Sequence, residues 1–196
     1  MSNVFVNDES LTAIANVIRS KKSTENTYKP TEMAGAVAKL PSYDFVKNLI
    51  EKMSTATEIV IPDYITAIGY GAFSYSPYLT SITIPDSVTN IDIYAFLNCT
   101  SLTNITIPDS VTNIGGYAFN GCKNLEFVEL GQGFNANNPD LSASTKYTRE
   151  TIVSLLNALA DRTGQTAYKL IIGLTNLKKL TAEDIKIATD KNWTIA

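Results

Sequence analysis

Apolar residues in the middle of the chain fall at fixed places that recur every 23 residues. Reading from Thr57 gives TEIVIPDYITAIGYGAFSYSPYL, from Thr80 TSITIPDSVTNIDIYAFLNCTSL, and from Thr103 TNITIPDSVTNIGGYAFNGCKNL, with offsets of 23 each time. Equivalent positions keep their chemistry, as in Ile59/Ile82/Ile105, Ile61/Ile84/Ile107, Ile68/Ile91/Ile114, Phe73/Phe96/Phe119 and Leu79/Leu102/Leu125. Each unit opens on an I-x-I segment, which predicts a short strand with both isoleucines on one face. A proline then ends the strand, and Pro62-Asp63, Pro85-Asp86 and Pro108-Asp109 supply turn chemistry in which the aspartate can accept from a nearby backbone N–H. One unit cannot enclose its own apolar face. Stacked units bury Ile on Ile and Phe on Phe, each large side chain contributing about 1.5–3 kcal/mol when fully buried. The period therefore predicts an α/β solenoid with a parallel sheet along one side.

The unit I-x-I-P-D-S-V-T-x-I-x-x-x-A-F-x-x-C-x-x-L resembles the BspA-like bacterial leucine-rich repeat, over about 75 residues from Thr57 to roughly Gly131. That family serves mainly as a binding or adhesive surface on bacteria, protists and phage particles. The resemblance implies a leucine-rich-repeat solenoid with a non-catalytic role.

The flanks differ in kind. Leu11, Ile14, Val17 and Ile18 follow Asp8-Glu9-Ser10 at helical spacing, Met33, Ala36, Val37 and Leu40 follow Pro30, and Val46, Leu49, Ile50 and Met53 form a third stripe. Residues 1–54 are thus expected to be a helical cap over the first coil, which would otherwise leave an apolar face and strand edges in water. The stretch from Ser10 to Leu40 is also similar to a helical module, L-x-x-I-A-x-A-I-R-x-K-T-G…T-P-x-E-M-A-x-x-I, of tail-associated proteins in phages and prophages of Gram-positive bacteria. It departs from that pattern at Lys22-Ser23, where Thr-Gly is missing, and in the length of the following loop. This second resemblance implies an attachment role in a particle.

Residues 55–131 form the repeat region, and 132–196 are expected to close it with helix-backed coils. Phe127-Val128-Glu129-Leu130 continues the strand pattern, with Gly131 in place of the proline. A polar stretch over residues 135–144 predicts a loop. Thr148 suits the cap of a helix carrying Ile152, Leu155, Leu156 and Leu159, with Gly164 just past its end. A strand is predicted over residues 168–173, a helix from Thr181 to Lys191 with Thr181 and Asp184 as a capping box, and a terminal segment in which Trp193 plugs the end. Leu170 to Trp193 and Ile172 to Ile195 each repeat the 23-residue advance. This spacing predicts a single parallel sheet of about six strands, at Ile59/Ile61, Ile82/Ile84, Ile105/Ile107, Val128/Leu130, Leu170/Ile172 and Trp193/Ile195.

Composition narrows the chemistry. In 196 residues there is no histidine, so neither a His-based triad nor a His-containing zinc site can be built. A net charge of −3 without a Lys/Arg block speaks against nucleic acid as the main partner, and no apolar run reaches the roughly 20 residues that span a bilayer. Met1-Ser2-Asn3-Val4-Phe5 has neither a basic start nor an apolar core, so no secretory leader is expected. Cys99 and Cys122, one period apart, are expected to stack as buried free thiols about 5 Å from each other, a distance that also permits a disulfide, with Ser76 on the same rung. Asp63, Asp86 and Asp109 form a carboxylate ladder that suits either turns or a hard cation. Tyr70, Tyr94 and Tyr117 gather on the corner side, where they serve packing or binding.

No catalytic, cofactor-binding or metal-ligating residue is expected. The candidate ligand-contact face is the outward side of the sheet, with Glu58, Ser81, Asn104 and Phe127 in one row and Val60, Thr83, Thr106 and Glu129 in the next. Together with the two resemblances, these residues point to a structural or binding protein that needs no cofactor. It is expected in a phage or prophage particle at the tail or baseplate, after synthesis in the bacterial cytoplasm. There it would contact other assembly proteins or a host-surface protein or glycan, and it could self-associate. The alternative is an adhesin on the bacterial cell surface.

Overall fold

The computed structural model describes residues 56–61, 63–137 and 139–196. The expected N-terminal cap, residues 1–54, and Pro62 lie outside these. Seven short strands make the repeat region: β1 (Glu58–Val60), β2 (Ala67–Ile68), β3 (Ser81–Thr83), β4 (Asn90–Ile91), β5 (Asn104–Ile107), β6 (Asn113–Ile114) and β7 (Phe127–Leu130). They form two parallel sheets, ordered β1-β3-β5-β7 and β2-β4-β6. Register advances by the sequence period, pairing Ile59 with Ile82, Ile82 with Ile105, and Ile105 with Val128. The second sheet is not apparent from the sequence pattern, because each of its strands is two residues long and contributes a single inward isoleucine, Ile68, Ile91 or Ile114.

Burial follows the ladders. Phe96 stacks between Phe73 and Phe119, with centroids 5.4 and 5.2 Å away and ring planes within 11° of parallel. All three rings are buried, as are Ile65, Leu79, Val88, Leu102, Val111 and Leu125 along the same interior. Polar groups are laddered too. Thr80 Oγ1 donates to Thr57 O at 2.7 Å and Thr103 Oγ1 to Thr80 O at 3.2 Å, so each hydroxyl ties its coil to the one before. At the proline turn the serine makes the cross-coil bond, Ser87 Oγ to Ile65 O at 2.6 Å and Ser110 Oγ to Val88 O at 2.8 Å. The aspartates do not fill the acceptor role expected of them. Asp63, Asp86 and Asp109 are exposed and hydrogen-bond nothing among the described residues.

The corner after the second sheet is built on left-handed backbone at two rungs. Gly71, Tyr94 and Tyr117 have φ of 60°, 59° and 58°, and Tyr75, Asn98 and Gly121 have 58°, 56° and 81°. Glycine takes this conformation freely, whereas a side chain there costs about 1–2 kcal/mol. Corner backbones bond across coils, as in Phe73 N to Ala95 O and Phe96 N to Ala118 O, both 2.8 Å.

The single six-stranded sheet predicted from spacing is not formed. The main sheet ends at β7, and its neighbour is the helix α1 (Arg149–Ala158). Strands β8 (Tyr168–Leu170) and β9 (Trp193–Ile195) pair with each other as a separate two-stranded sheet. Their register joins Tyr168 to Trp193 and Leu170 to Ile195, an advance of 25 residues rather than 23. The shift sets Trp193 edge-on to Tyr168 at 5.5 Å and lets Trp193 Nε1 donate to Ala160 O at 2.9 Å. Trp193 is thus a buried plug, as expected, while the coil around it has its own length.

The short helix α2 (Leu174–Leu177) and the helix α3 (Ala182–Thr189) lie between β8 and β9. Thr148 caps α1, its hydroxyl accepting from Thr151 N, and Thr181 and Asp184 form the predicted capping box on α3. The predicted reach of α1 toward Gly164 is too long. The helix ends at Ala158 because Leu159 pairs with Phe134 as an isolated parallel bridge, and Lys191 Nζ takes up the carbonyls of Leu156, Asn157 and Leu159 at 2.6–3.3 Å. Arg149 binds both oxygens of Asp184 and so ties α1 to α3.

Candidate functional site

Parallel pairing in register brings the eight candidate residues together as two straight rows. Glu58, Ser81, Asn104 and Phe127 are successive partners across β1, β3, β5 and β7, and Val60, Thr83, Thr106 and Glu129 make the second row. Strand alternation puts Ile59, Ile82, Ile105 and Val128 inside and these rows outside. Val60 and Ser81 are half-buried and the other six exposed, with 45% of Phe127 open to solvent. The face carries two carboxylates at opposite corners, amide and hydroxyl groups between, and one aromatic ring. Thr106 Oγ1 donates to Glu129 Oε2 at 3.3 Å, and Asn104 Nδ2 to Thr103 Oγ1 at 3.1 Å. Such a surface offers hydrogen-bond donors and acceptors in register on a parallel sheet.

The cysteines are two buried free thiols on adjacent rungs. Cys99 Sγ donates to Phe73 O at 3.0 Å and Cys122 Sγ to Phe96 O at 3.1 Å, so each thiol satisfies a carbonyl 26 residues back. Contact with the Cys99 sulfur and then burial push the Cys122 thiol far above its ordinary range, which keeps it protonated. Burial, before any charge effect, also raises the Tyr147 phenol, whose hydroxyl donates to Leu141 O at 3.0 Å.

The charged side chains buried among the described residues hold structure. Arg162 lies 3.4 Å over the Tyr168 ring and donates to Thr166 O and Asn135 Oδ1. Thr181 N–H first, and the Arg149 guanidinium next, hold the Asp184 carboxyl below its ordinary range. Among the described residues no three His, Cys, Asp or Glu side chains converge as metal ligands would.

The tyrosines do gather at the corner. Tyr94 stacks on Tyr117 with centroids 5.7 Å apart, and Tyr70 meets Tyr94 edge-on at 5.5 Å. The sequence pattern marks Tyr70, Tyr94 and Tyr117 but passes over Tyr75 and Tyr78 of the first coil, which are exposed. The available signal is the glycine that replaces tyrosine on equivalent rungs, Gly71 for Tyr94 and Gly121 for Tyr75, which marks a left-handed site.

A profile described as BspA type Leucine rich repeat region matches residues 44–162 in six copies. No curated protein matches the chain. Among solved structures, the crystal structure of a leucine-rich repeat protein from Eubacterium ventriosum at 2.50 Å resolution is similar, with 23% identity and a TM-score of 0.44. The match covers 65% of this chain and 32% of that protein, so the chain spans about a third of its solved counterpart.

Proposed function

This chain belongs to the BspA-type leucine-rich repeat family, and on that premise we propose that it is a non-catalytic binding or adhesion protein that engages its partner through the outer face of β1-β3-β5-β7. The observation that carries this reading is the pair of in-register rows, which set neutral hydrogen-bonding groups at interstrand spacing of about 4.8 Å on a hydrogen-bonded parallel sheet. A preordered surface loses little conformational entropy on binding. The partner class is a surface protein or glycan. The finer placement, in the tail or baseplate of a phage or prophage particle, draws on the resemblance of residues 10–40 to tail-associated modules. The family resemblance supports the alternative, a bacterial cell-surface adhesin.

The test is retention of the purified chain on arrays of bacterial envelope polymers and extracellular proteins, with T83K/T106K as the altered face. Saturable retention that falls at least tenfold in the variant, at unchanged melting temperature, supports the reading. Retention unaffected by the variant on every array member that holds the chain overturns it. Recovery of the chain with purified particles, against recovery with the cell envelope, separates the two placements.

A further inference from the structure

We propose that the tyrosine-rich corner edge is a second binding surface, a platform for a neutral carbohydrate chain. This goes beyond the binding reading above: it adds a second face and names the ligand class that this face takes.

Three observations carry it. Half of the chain's ten tyrosines fall in three equivalent ten-residue corner segments, 69–78, 92–101 and 115–124. Within those segments Asp92 and Lys123 are the only charged residues, although 18% of the whole chain is charged. Lastly, Tyr75, Tyr94 and Tyr117 occupy left-handed backbone that Gly71 and Gly121 take without strain in sister coils. A tyrosine therefore sits where glycine would make the same turn more easily, and strain kept at a surface position is a mark of use.

The chemistry fits a sugar better than a charged polymer. An aromatic ring offers an apolar face to the C–H side of a pyranose and a phenolic hydroxyl to its rim, and it fixes few torsions on binding. Tyr117 is 58% exposed and Tyr70 45%, on either side of the half-buried Tyr94 ring that touches both, so the edge presents rings and phenol groups together. A surface this poor in charge complements a ligand with none.

The experiment is affinity electrophoresis of the full chain through gels containing dextran, mannan or galactan, with heparin and polygalacturonate as anionic comparators. The variant is Y94G/Y117G, which installs the residue already present on the Gly71 rung and so preserves the turn. Retardation by at least one neutral polymer, weakened tenfold or more in Y94G/Y117G but kept in T83K/T106K, is the expected result. Retardation by anionic polymers alone, by none of the five, or to the same extent in Y94G/Y117G overturns the proposal. If T83K/T106K alone abolishes it, the sheet-face reading stands and this one falls. A circular dichroism spectrum unchanged from wild type establishes that the variant is folded. Should Y94G/Y117G unfold, Y117F decides instead, since removing one phenolic hydroxyl must still weaken retardation and equal retardation refutes the platform.

Discussion

Replacing Phe96 is the sharpest probe of how the coils hold one another. Phe96 is fully buried and has a ring neighbour on each side, Phe73 at 5.4 Å and Phe119 at 5.2 Å, whereas each of those rings has one such neighbour among the described residues. Truncation to alanine removes a buried aromatic and leaves a cavity, a change that costs about 3–5 kcal/mol. The total stability of a domain is about 5–15 kcal/mol, so F96A is expected to unfold at a far lower urea concentration. Leucine isolates the stacking. F96L loses two aromatic contacts and F119L loses one, so at similar transfer cost F96L should be the less stable by about 0.5–1.5 kcal/mol. Equilibrium urea unfolding followed by circular dichroism supplies both numbers. An F96A cost under about 1 kcal/mol, or F119L less stable than F96L, would refute the continuous ladder.

Other perturbations test separate contacts. Gly131 stands where earlier units have proline, and a Cβ there would run into the backbone nitrogen of Asp109, whereas one on Gly69 meets nothing within 4 Å. G131A should cost about 1–3 kcal/mol and G69A less than about 0.5 kcal/mol in the same urea experiment. Because Thr181 N–H and Arg149 lower the Asp184 carboxyl, its stabilising contribution is present above the unfolded value of about 3.9 and is lost as pH falls through the lower folded value. The melting-temperature gap between wild type and D184N should be constant above about pH 5 and shrink toward pH 2; a gap that widens on acidification would contradict the pairing. Cys99 and Cys122 should resist Ellman's reagent in the native protein and both react in denaturant, and fast native labelling would show that the rungs are open.

The ladders were legible because repetition averages out local ambiguity. Ile59, Ile82 and Ile105 would each be a weak strand signal alone, but three at one period fix a register. The caps at Thr148 and Thr181 were legible for a different reason, since each rests on a side chain bonding its own next turn. What failed was extrapolation. The 23-residue gaps from Leu170 and Ile172 matched the period by coincidence, because the length of a helix-backed coil is set by where Trp193 can pack on Tyr168 and reach Ala160 O. The second sheet leaves no mark in the sequence because one isoleucine per strand carries no alternation. The turn aspartates differ from their expected acceptor role because the serine of the same turn makes the cross-coil bond, leaving Asp86 and Asp109 in solvent. The candidate face was legible residue by residue, since alternation about Ile82 and Ile105 leaves no choice of side, and so was the corner clustering of Tyr70, Tyr94 and Tyr117, while the left-handed backbone under Tyr94 and Tyr117 was hinted at only by Gly71 on the sister rung.

The central claim is that this solenoid acts by holding a partner and leaves it chemically unchanged. The direct measurement is saturable, reversible binding of the chain to a surface polymer or protein that retains it, followed by the mass of the recovered partner. Reversible binding with the partner's mass unaltered after prolonged incubation is the predicted result. A partner recovered cleaved or modified, in proportion to the amount of chain added, would contradict the account.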